Sequence, residues 1–278
     1  MNTWLVGAAL TSALLHAAWN ASVKASPRPA EAMTAQMLGS AALGLPLLFW
    51  AGLPAPASWP WMAASTLLNI GAIASLLRAY EHGGFGVVYP MARASSVLLV
   101  LPLAAAAAGE WPRPLGVAGV ALVSSAVAVL AFGRGEARAM SRSALLWTLA
   151  AAAFTAGYVV CDGQGVRGSQ SPLGYGCTMA IVNGVLWAGL QQRAGMKPAA
   201  LRAQWPRVLP VAVAAMLSYL LILWVWTLAP IALGSALRDT SAVFATLIAV
   251  VVLKEPLHRS ALVAVALATA GSILIRLG

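Results

Sequence analysis

The chain has 278 residues, of which 61% are hydrophobic and only 9% are charged. A soluble domain carries about 25% charged and 45–50% apolar residues, so this composition excludes an ordinary soluble globular protein. The formal net charge is +10, but the basic residues are scattered through short loops between apolar segments, where they set membrane orientation; we therefore predict a lipid bilayer around the protein and no nucleic-acid partner.

Ten apolar segments follow one another along the chain, each long enough to cross about 30 Å of hydrocarbon as a helix. They lie at residues 3–24, 31–51, 60–80, 86–108, 114–132, 143–164, 172–191, 207–228, 231–253 and 260–276. No basic stretch precedes the first segment, so we expect it to be a retained helix and not a cleaved signal peptide. The predicted fold class is an all-α polytopic membrane protein with ten transmembrane helices.

A polar connector divides these ten helices into two halves of five. The connector covers residues 134–142 and separates a first half, residues 1–133, from a second half, residues 143–278. Because five is an odd number, the second half enters the membrane upside down relative to the first. Such inverted repeats are common in secondary transporters.

The basic residues predict the orientation of the helices. If both termini lie on one side, three basic residues lie there (Arg113, Arg167, Arg276) and twelve lie on the other: Lys24, Arg28, Arg78, Arg134, Arg138, Arg142, Arg193, Lys197, Arg202, Arg207, Lys254 and Arg259. The side rich in Lys and Arg is normally cytoplasmic. We therefore predict a bacterial-type inner membrane protein with both termini on the outer, periplasmic side.

The two halves match best over their last two helices. From Arg93 the sequence reads RASSVLLVLPLAAAAAGEWPRPLGVAGVALVSSAVAVL, and from Arg238 it reads RDTSAVFATLIAVVVLKEPLHRSALVAVALATAGSILI. Each copy is a helix, a turn with Glu110 or Glu255 followed by proline, and a helix rich in small residues. The sequence resembles the EamA-type carriers of the drug/metabolite transporter superfamily, and within it the YddG-like amino-acid exporters.

This resemblance implies a secondary transporter that exports small organic metabolites across the inner membrane by alternating access around a central cavity. It implies amino acids as substrates, aromatic ones among them; the alternative is a drug or other metabolite carrier of the same superfamily. It also implies that helices 1, 3, 4, 6, 8 and 9 line the cavity and that 2, 5, 7 and 10 are peripheral. We expect a small-molecule substrate and a monomer, with a homodimer as the alternative.

Arg93 and Arg238 lie inside apolar helices, where an ionisable side chain is costly and usually functional. Three roles are open to them: hydrogen bonding to backbone carbonyls of neighbouring helices, contact with substrate, and an ion pair in a gate. From the rise of 1.5 Å per residue, each lies roughly 10 Å from one membrane face, and the inverted repeat puts the two near opposite faces. Asp162 and Asp239 are the acidic residues predicted within spans, and we expect one of them to pair with Arg238.

No acidic residue is predicted beside Arg93, so we expect Arg93 to bind an anionic group of the substrate. Tyr89 lies four residues before it and shares its helix face. At the same predicted depth, helix 1 brings His16, Trp19 and Asn20 to the pathway. Two further aromatic or polar side chains complete the predicted pathway, Tyr158 in helix 6 and Asn69 in helix 3.

Other chemistry finds little support in the sequence. There is no P-loop, no cluster of Cys and His with metal-ligand spacing, and no serine with plausible companions for a catalytic triad. A membrane-embedded lipid enzyme is the least favoured function, because it needs converging acid and base groups in one cavity. We predict no enzymatic activity, no cofactor and no metal.

Overall fold

The protein is all-helical in the residues that the computed structural model describes, which are 1–82, 85–132, 140–251 and 259–278. No β-strand occurs in these ranges. In chain order the elements are α1 (Thr3–Lys24), α2 (Pro29–Ala51), a short 3-10 helix (Pro56–Ser58), α3 (Trp59–His82), α4 (Phe85–Ala108), α5 (Pro114–Phe132), α6 (Arg142–Gly168), α7 (Pro172–Arg193), α8 (Pro198–Leu228), α9 (Ile231–Asp239), α10 (Ser241–Val251) and α11 (Arg259–Leu277).

Within the described residues, eight helical stretches are long and apolar enough to cross a membrane, with α9 and α10 counted as one stretch. The prediction of an all-α polytopic membrane protein is thereby confirmed. The apolar part of α5, Pro114–Leu130, is shorter than these eight, and α1 does not belong to the set. The mean hydropathy of α1 is lower because the helix carries His16 and Asn20, two polar residues that lie inside the bundle.

Helices begin where the sequence supplies caps for their free N–H groups. The Asn2 side chain accepts a hydrogen bond from Leu5 N at 2.9 Å and starts α1. Ser141 caps α6 and Ser171 caps α7 in the same way. Proline occupies the first position of α2, α7 and α8, where its missing N–H costs nothing.

Two helix boundaries differ from the sequence prediction. Helix α8 begins at Pro198, nine residues before the predicted start, because Pro206 and Pro210 are accommodated inside the helix. The predicted span 231–253 is interrupted after Asp239, where Thr240 N donates to Leu237 O and the Thr240 hydroxyl donates to the same oxygen at 2.7 Å. These contacts to the third residue back tighten the turn as in a 3-10 helix and separate α9 from α10.

Several predicted features lie outside the described residues. They are the turn at Gly83 and Gly84, most of the connector 134–142, and the second Glu-Pro turn with Glu255.

The bundle is built from helix pairs that join the two halves of the chain. Helix α3 packs on α6, α1 on α8, α2 on α7, α5 on α11, and α4 on α6 and α9. Helix α9 is buried along its whole length. Its central place explains why the shortest helix carries two ionisable residues: neighbouring helices shield them from lipid.

The contact between α5 and α11 is close enough to exclude a methyl group. A Cβ at Gly119 would lie 2.7 Å from Gly271 O and 2.9 Å from Ile275 N, both of them backbone atoms. We expect Gly119→Ala to lower the free energy of unfolding by about 1–3 kcal/mol, because overpacking forces helices apart. Gly7→Ala is the matched control, since a Cβ there has no neighbour within 4 Å. Unfolding in mixed micelles measures both variants, and equal stabilities would contradict the close packing.

Candidate functional site

A cavity of about 280 Å³ lies inside the bundle. It is lined by nine of the ten residues that the sequence singled out: His16, Trp19, Asn20, Asn69, Tyr89, Arg93, Tyr158, Asp162 and Arg238. The tenth, Asp239, is buried beside it. These side chains come from five helices, α1, α3, α4, α6 and α9, and the fold brings together His16 and Arg238, which are 222 residues apart in sequence.

Arg93 and Asp239 form an ion pair between α4 and α9. The two side chains are 13% and 6% exposed, so the pair is largely buried within the bundle. The expectation that Arg93 has no acidic neighbour is therefore wrong. The error came from the estimate of depth, which put Arg93 and Arg238 near opposite faces, whereas both line one cavity.

Arg238 has a different environment from Arg93. Its Nη2 lies 3.3 Å from His16 Nδ1, and the His16 ring meets Trp19 edge to face with centroids 5.1 Å apart. Among the described residues, no carboxylate lies within ion-pair distance of Arg238. The predicted pairing with Asp239 fails because consecutive residues of a helix point about 100° apart and do not face each other.

Asp162 is held by hydroxyl groups and forms no ion pair with the predicted arginine. Its Oδ1 accepts hydrogen bonds from Ser65 at 2.6 Å and Tyr175 at 3.0 Å, and its Oδ2 accepts one from Tyr219 at 2.9 Å. The side chain is only 3% exposed. Hydrogen bonds to a charged acceptor are strong, and three of them hold this carboxyl group in place at the edge of the cavity.

Helices α2 and α7 also line the cavity, contrary to their expected peripheral position. Gln36 and Ser40 come from α2, and Met179 and Asn183 from α7. Gln36 Nε2 donates to Ser40 Oγ at 2.9 Å, while the buried Asn183 Oδ1 lacks a donor in the described part of the chain. Gln36 and Asn183 are polar amides in largely apolar spans, and this pattern in the sequence could have identified both as cavity residues.

The cavity lies toward one end of the bundle, and the opposite end is closed by apolar packing. Buried side chains from several helices fill the closed end, among them Leu5, Ala104, Val166 and Trp226. Both chain termini lie at this end, because the amino group of Met1 donates to the carbonyls of Ile275 and Arg276.

A polar network reinforces the closed end. Glu110 pairs with Arg167 and also accepts a hydrogen bond from Ile231 N at 2.7 Å. Arg167 donates to the carbonyls of Trp226 and Ala229 at the end of α8. The Glu110 carboxylate thereby caps the N-terminus of α9, where the positive end of the helix dipole favours a negative charge.

Three comparisons with known proteins bear on this arrangement. Residues 142–277 match the model of the EamA-like transporter family. A solved crystal structure, described only as that of a protein, has the same fold with a TM-score of 0.78 and 19% sequence identity, and the match covers 99% of this chain and 96% of the other. A comparison with curated proteins gave no match. The second half of the chain, residues 142–277, is therefore similar to the EamA-like transporter family.

Proposed function

We propose that the whole chain is an EamA-type carrier of the drug/metabolite transporter superfamily, with ten spans in two inverted five-helix repeats. Helix positions support the repeat: α5 begins at Pro114 and α11 at Arg259, the same shift of 145 residues that aligns Arg93 with Arg238. Helix packing is consistent with the repeat as well. In the two halves α1 corresponds to α6 and α3 to α8, so the pair α1–α8 corresponds to the pair α6–α3, and the helices of each pair pack together.

The carrier works by alternating access. The cavity is separated from the end that holds the termini by apolar packing and by the network of Glu110 and Arg167. On the orientation given by the basic residues, that end faces the periplasm and the cavity belongs to the cytoplasmic side. Export then requires the closed end to open and the cavity to close toward the cytoplasm.

The substrate is a zwitterionic amino acid, and the observation that carries this assignment is the charge pattern of the cavity. Arg93 and Asp239 neutralise each other. Among the described residues, the remaining charged groups of the lining are one cation, Arg238, and one anion, Asp162. Neither forms an ion pair with a described residue. The α-carboxylate of an amino acid at Arg238 and its α-ammonium group at Asp162 would give each of the two side chains an ion-pair partner.

The rest of the cavity suits an apolar or aromatic side chain. Trp19, Met37, Ile73 and Met216 face the same space, and its volume of about 280 Å³ lies near the lower end of the range for small-molecule sites. A purely anionic metabolite is the second candidate, because Arg238 and His16 together could bind an anion without help from Asp162.

Counterflow in proteoliposomes tests the proposal. Liposomes loaded with an unlabelled aromatic amino acid should accumulate the labelled amino acid from outside, and the uptake should saturate. Liposomes that contain Glu81→Gln protein are the matched control, because Glu81 forms an exposed ion pair and does not line the cavity, so the variant should transport normally. Accumulation of organic anions but not of any amino acid would favour the second candidate, and no counterflow with either class would contradict the proposal.

A further inference from the structure

The carboxyl group of Asp162 is surrounded by hydroxyl groups. Ser65 and Tyr175 donate to its Oδ1, and Tyr219 donates to its Oδ2. A hydroxyl group can donate a hydrogen bond to a carboxylate, and it can turn to accept one from a carboxylic acid. This environment therefore accommodates Asp162 both with and without a proton.

The carboxyl group of Asp239, beside the same cavity, has a partner of a different kind. It is paired with Arg93, whose guanidinium carries only N–H donors and cannot accept a hydrogen bond. A proton on Asp239 would leave that buried guanidinium without its counter-charge, which is costly. Of these two carboxyl groups, Asp162 is the one whose contacts permit a change of protonation.

The side chains around Asp162 bring few charges to it. Arg238 on α9 is the charged group that acts on it across the cavity, while Arg93 on α4 is neutralised by Asp239. The short 3-10 helix has no titratable residue, and the ionisable residues of α3 lie in its last turns, Arg78 to His82. The other titratable side chains near Asp162 are a thiol and three phenols: Cys161, Tyr158, Tyr175 and Tyr219.

One acceptor position of the Asp162 carboxylate stays open. A carboxylate has about four lone-pair positions; two donors occupy those of Oδ1, and one donor occupies Oδ2. No described residue donates to the fourth position. Because Asp162 lines the cavity, this position can take a proton or an N–H of a substrate ammonium group. The two exclude each other, since a proton removes the negative charge that attracts the ammonium group.

We propose that Asp162 is a proton-binding site and that the carrier exchanges one proton for each amino acid that it exports. This inference rests on the proposed function. On the cytoplasmic side the ammonium group displaces the proton from Asp162 into water. On the outer side a proton displaces the ammonium group and returns with the empty carrier. The zwitterion has no net charge, so each cycle moves one positive charge inward, and a membrane potential that is negative inside drives export.

Proton release on binding tests the site. Purified protein in weakly buffered micelles is mixed with phenylalanine, and a pH-indicator dye counts the released protons from about pH 5 to pH 9. Release should approach one proton per phenylalanine at the acid end and fall as the pH rises. The affinity should rise about tenfold per pH unit wherever free Asp162 is protonated. Phenylpropionate, which has the carboxylate but no ammonium group, should bind and release no proton.

Two variants complete the test. Asp162→Asn should release no proton with either ligand, and its binding of phenylpropionate shows that it is folded. Glu81→Gln loses an exposed carboxylate that does not line the cavity; it is the matched control and should release protons as the wild-type protein does.

Three results overturn the proton site: no release from the wild-type protein at any pH, equal release with phenylpropionate and phenylalanine, or release from Asp162→Asn with phenylalanine. In proteoliposomes, counterflow of amino acids together with an amino-acid gradient that moves no protons would overturn the exchange and leave the proposed function standing. Absence of counterflow contradicts the proposed function itself, so the two failures are distinguishable.

Discussion

Asp239→Asn is expected to lower the free energy of unfolding by about 3–5 kcal/mol, because it leaves the Arg93 guanidinium buried without its counter-charge. The pair joins α4 to α9, and both side chains are shielded from solvent. Because the pair is largely buried, solvent compensates little for the lost carboxylate. Unfolding of the purified protein in mixed micelles, followed by circular dichroism, measures the change.

Two comparisons make this expectation specific. Glu81→Gln removes the carboxylate of an exposed pair with Arg78 and should cost at most about 1 kcal/mol, because solvent screens such pairs. The double variant Arg93→Met with Asp239→Leu removes both charges together and should recover most of the loss, since an apolar pair of similar size often replaces a buried ion pair without penalty. A double variant as unstable as Asp239→Asn would contradict the ion pair as the cause.

The sequence predicted the helices of this protein far better than the partners of its charged side chains. Most helix ends lie within a few residues of the predicted positions, because length, hydropathy and breakers such as Pro114 and Pro172 are local signals. The partners of Arg93 and Asp162 depend on how helices rotate about their axes. Two residues at similar depth can face each other or point apart, and the spacing along the chain does not contain that information.

Asp162 shows most clearly that the sequence does not predict the partners of a buried charged side chain. A search for opposite charges finds arginine as its partner, yet its three donors are the hydroxyl groups of Ser65, Tyr175 and Tyr219. A serine or tyrosine hydroxyl carries no charge, so a search for opposite charges does not find it. The predicted list of site residues was nevertheless close to the cavity lining, because a polar side chain within an apolar span is stable only when it faces the bundle interior.

In the proposed function, Arg238 has the role that the sequence assigned to Arg93. With Arg93 neutralised by Asp239, Arg238 is the cation of the lining that is free to bind a carboxylate. A guanidinium binds a carboxylate through two parallel hydrogen bonds. Arg93 is then a positioning residue: its ion pair fixes α9, which carries Arg238 at the cavity.

We therefore expect Arg238→Gln to weaken binding of the transported amino acid about 10- to 150-fold, the equivalent of losing roughly 1.5–3 kcal/mol of hydrogen bonding to a charged group. Arg238→Lys should fall in between, because it keeps the charge but loses the planar fork. Competition against labelled amino acid in proteoliposomes measures these affinities.

A set of substrate analogues separates a direct contact with Arg238 from a structural effect. The amine that lacks the carboxylate should bind the wild-type protein weakly. It should bind Arg238→Gln with the same affinity, because it has no carboxylate that could pair with the Arg238 guanidinium. Asp162→Asn should show the reverse preference, with binding of the deaminated acid preserved and binding of the amine reduced. Equal losses for all three ligands in Arg238→Gln would contradict a contact with the carboxylate and would leave Arg238 a part of the scaffold, held by His16 at 3.3 Å.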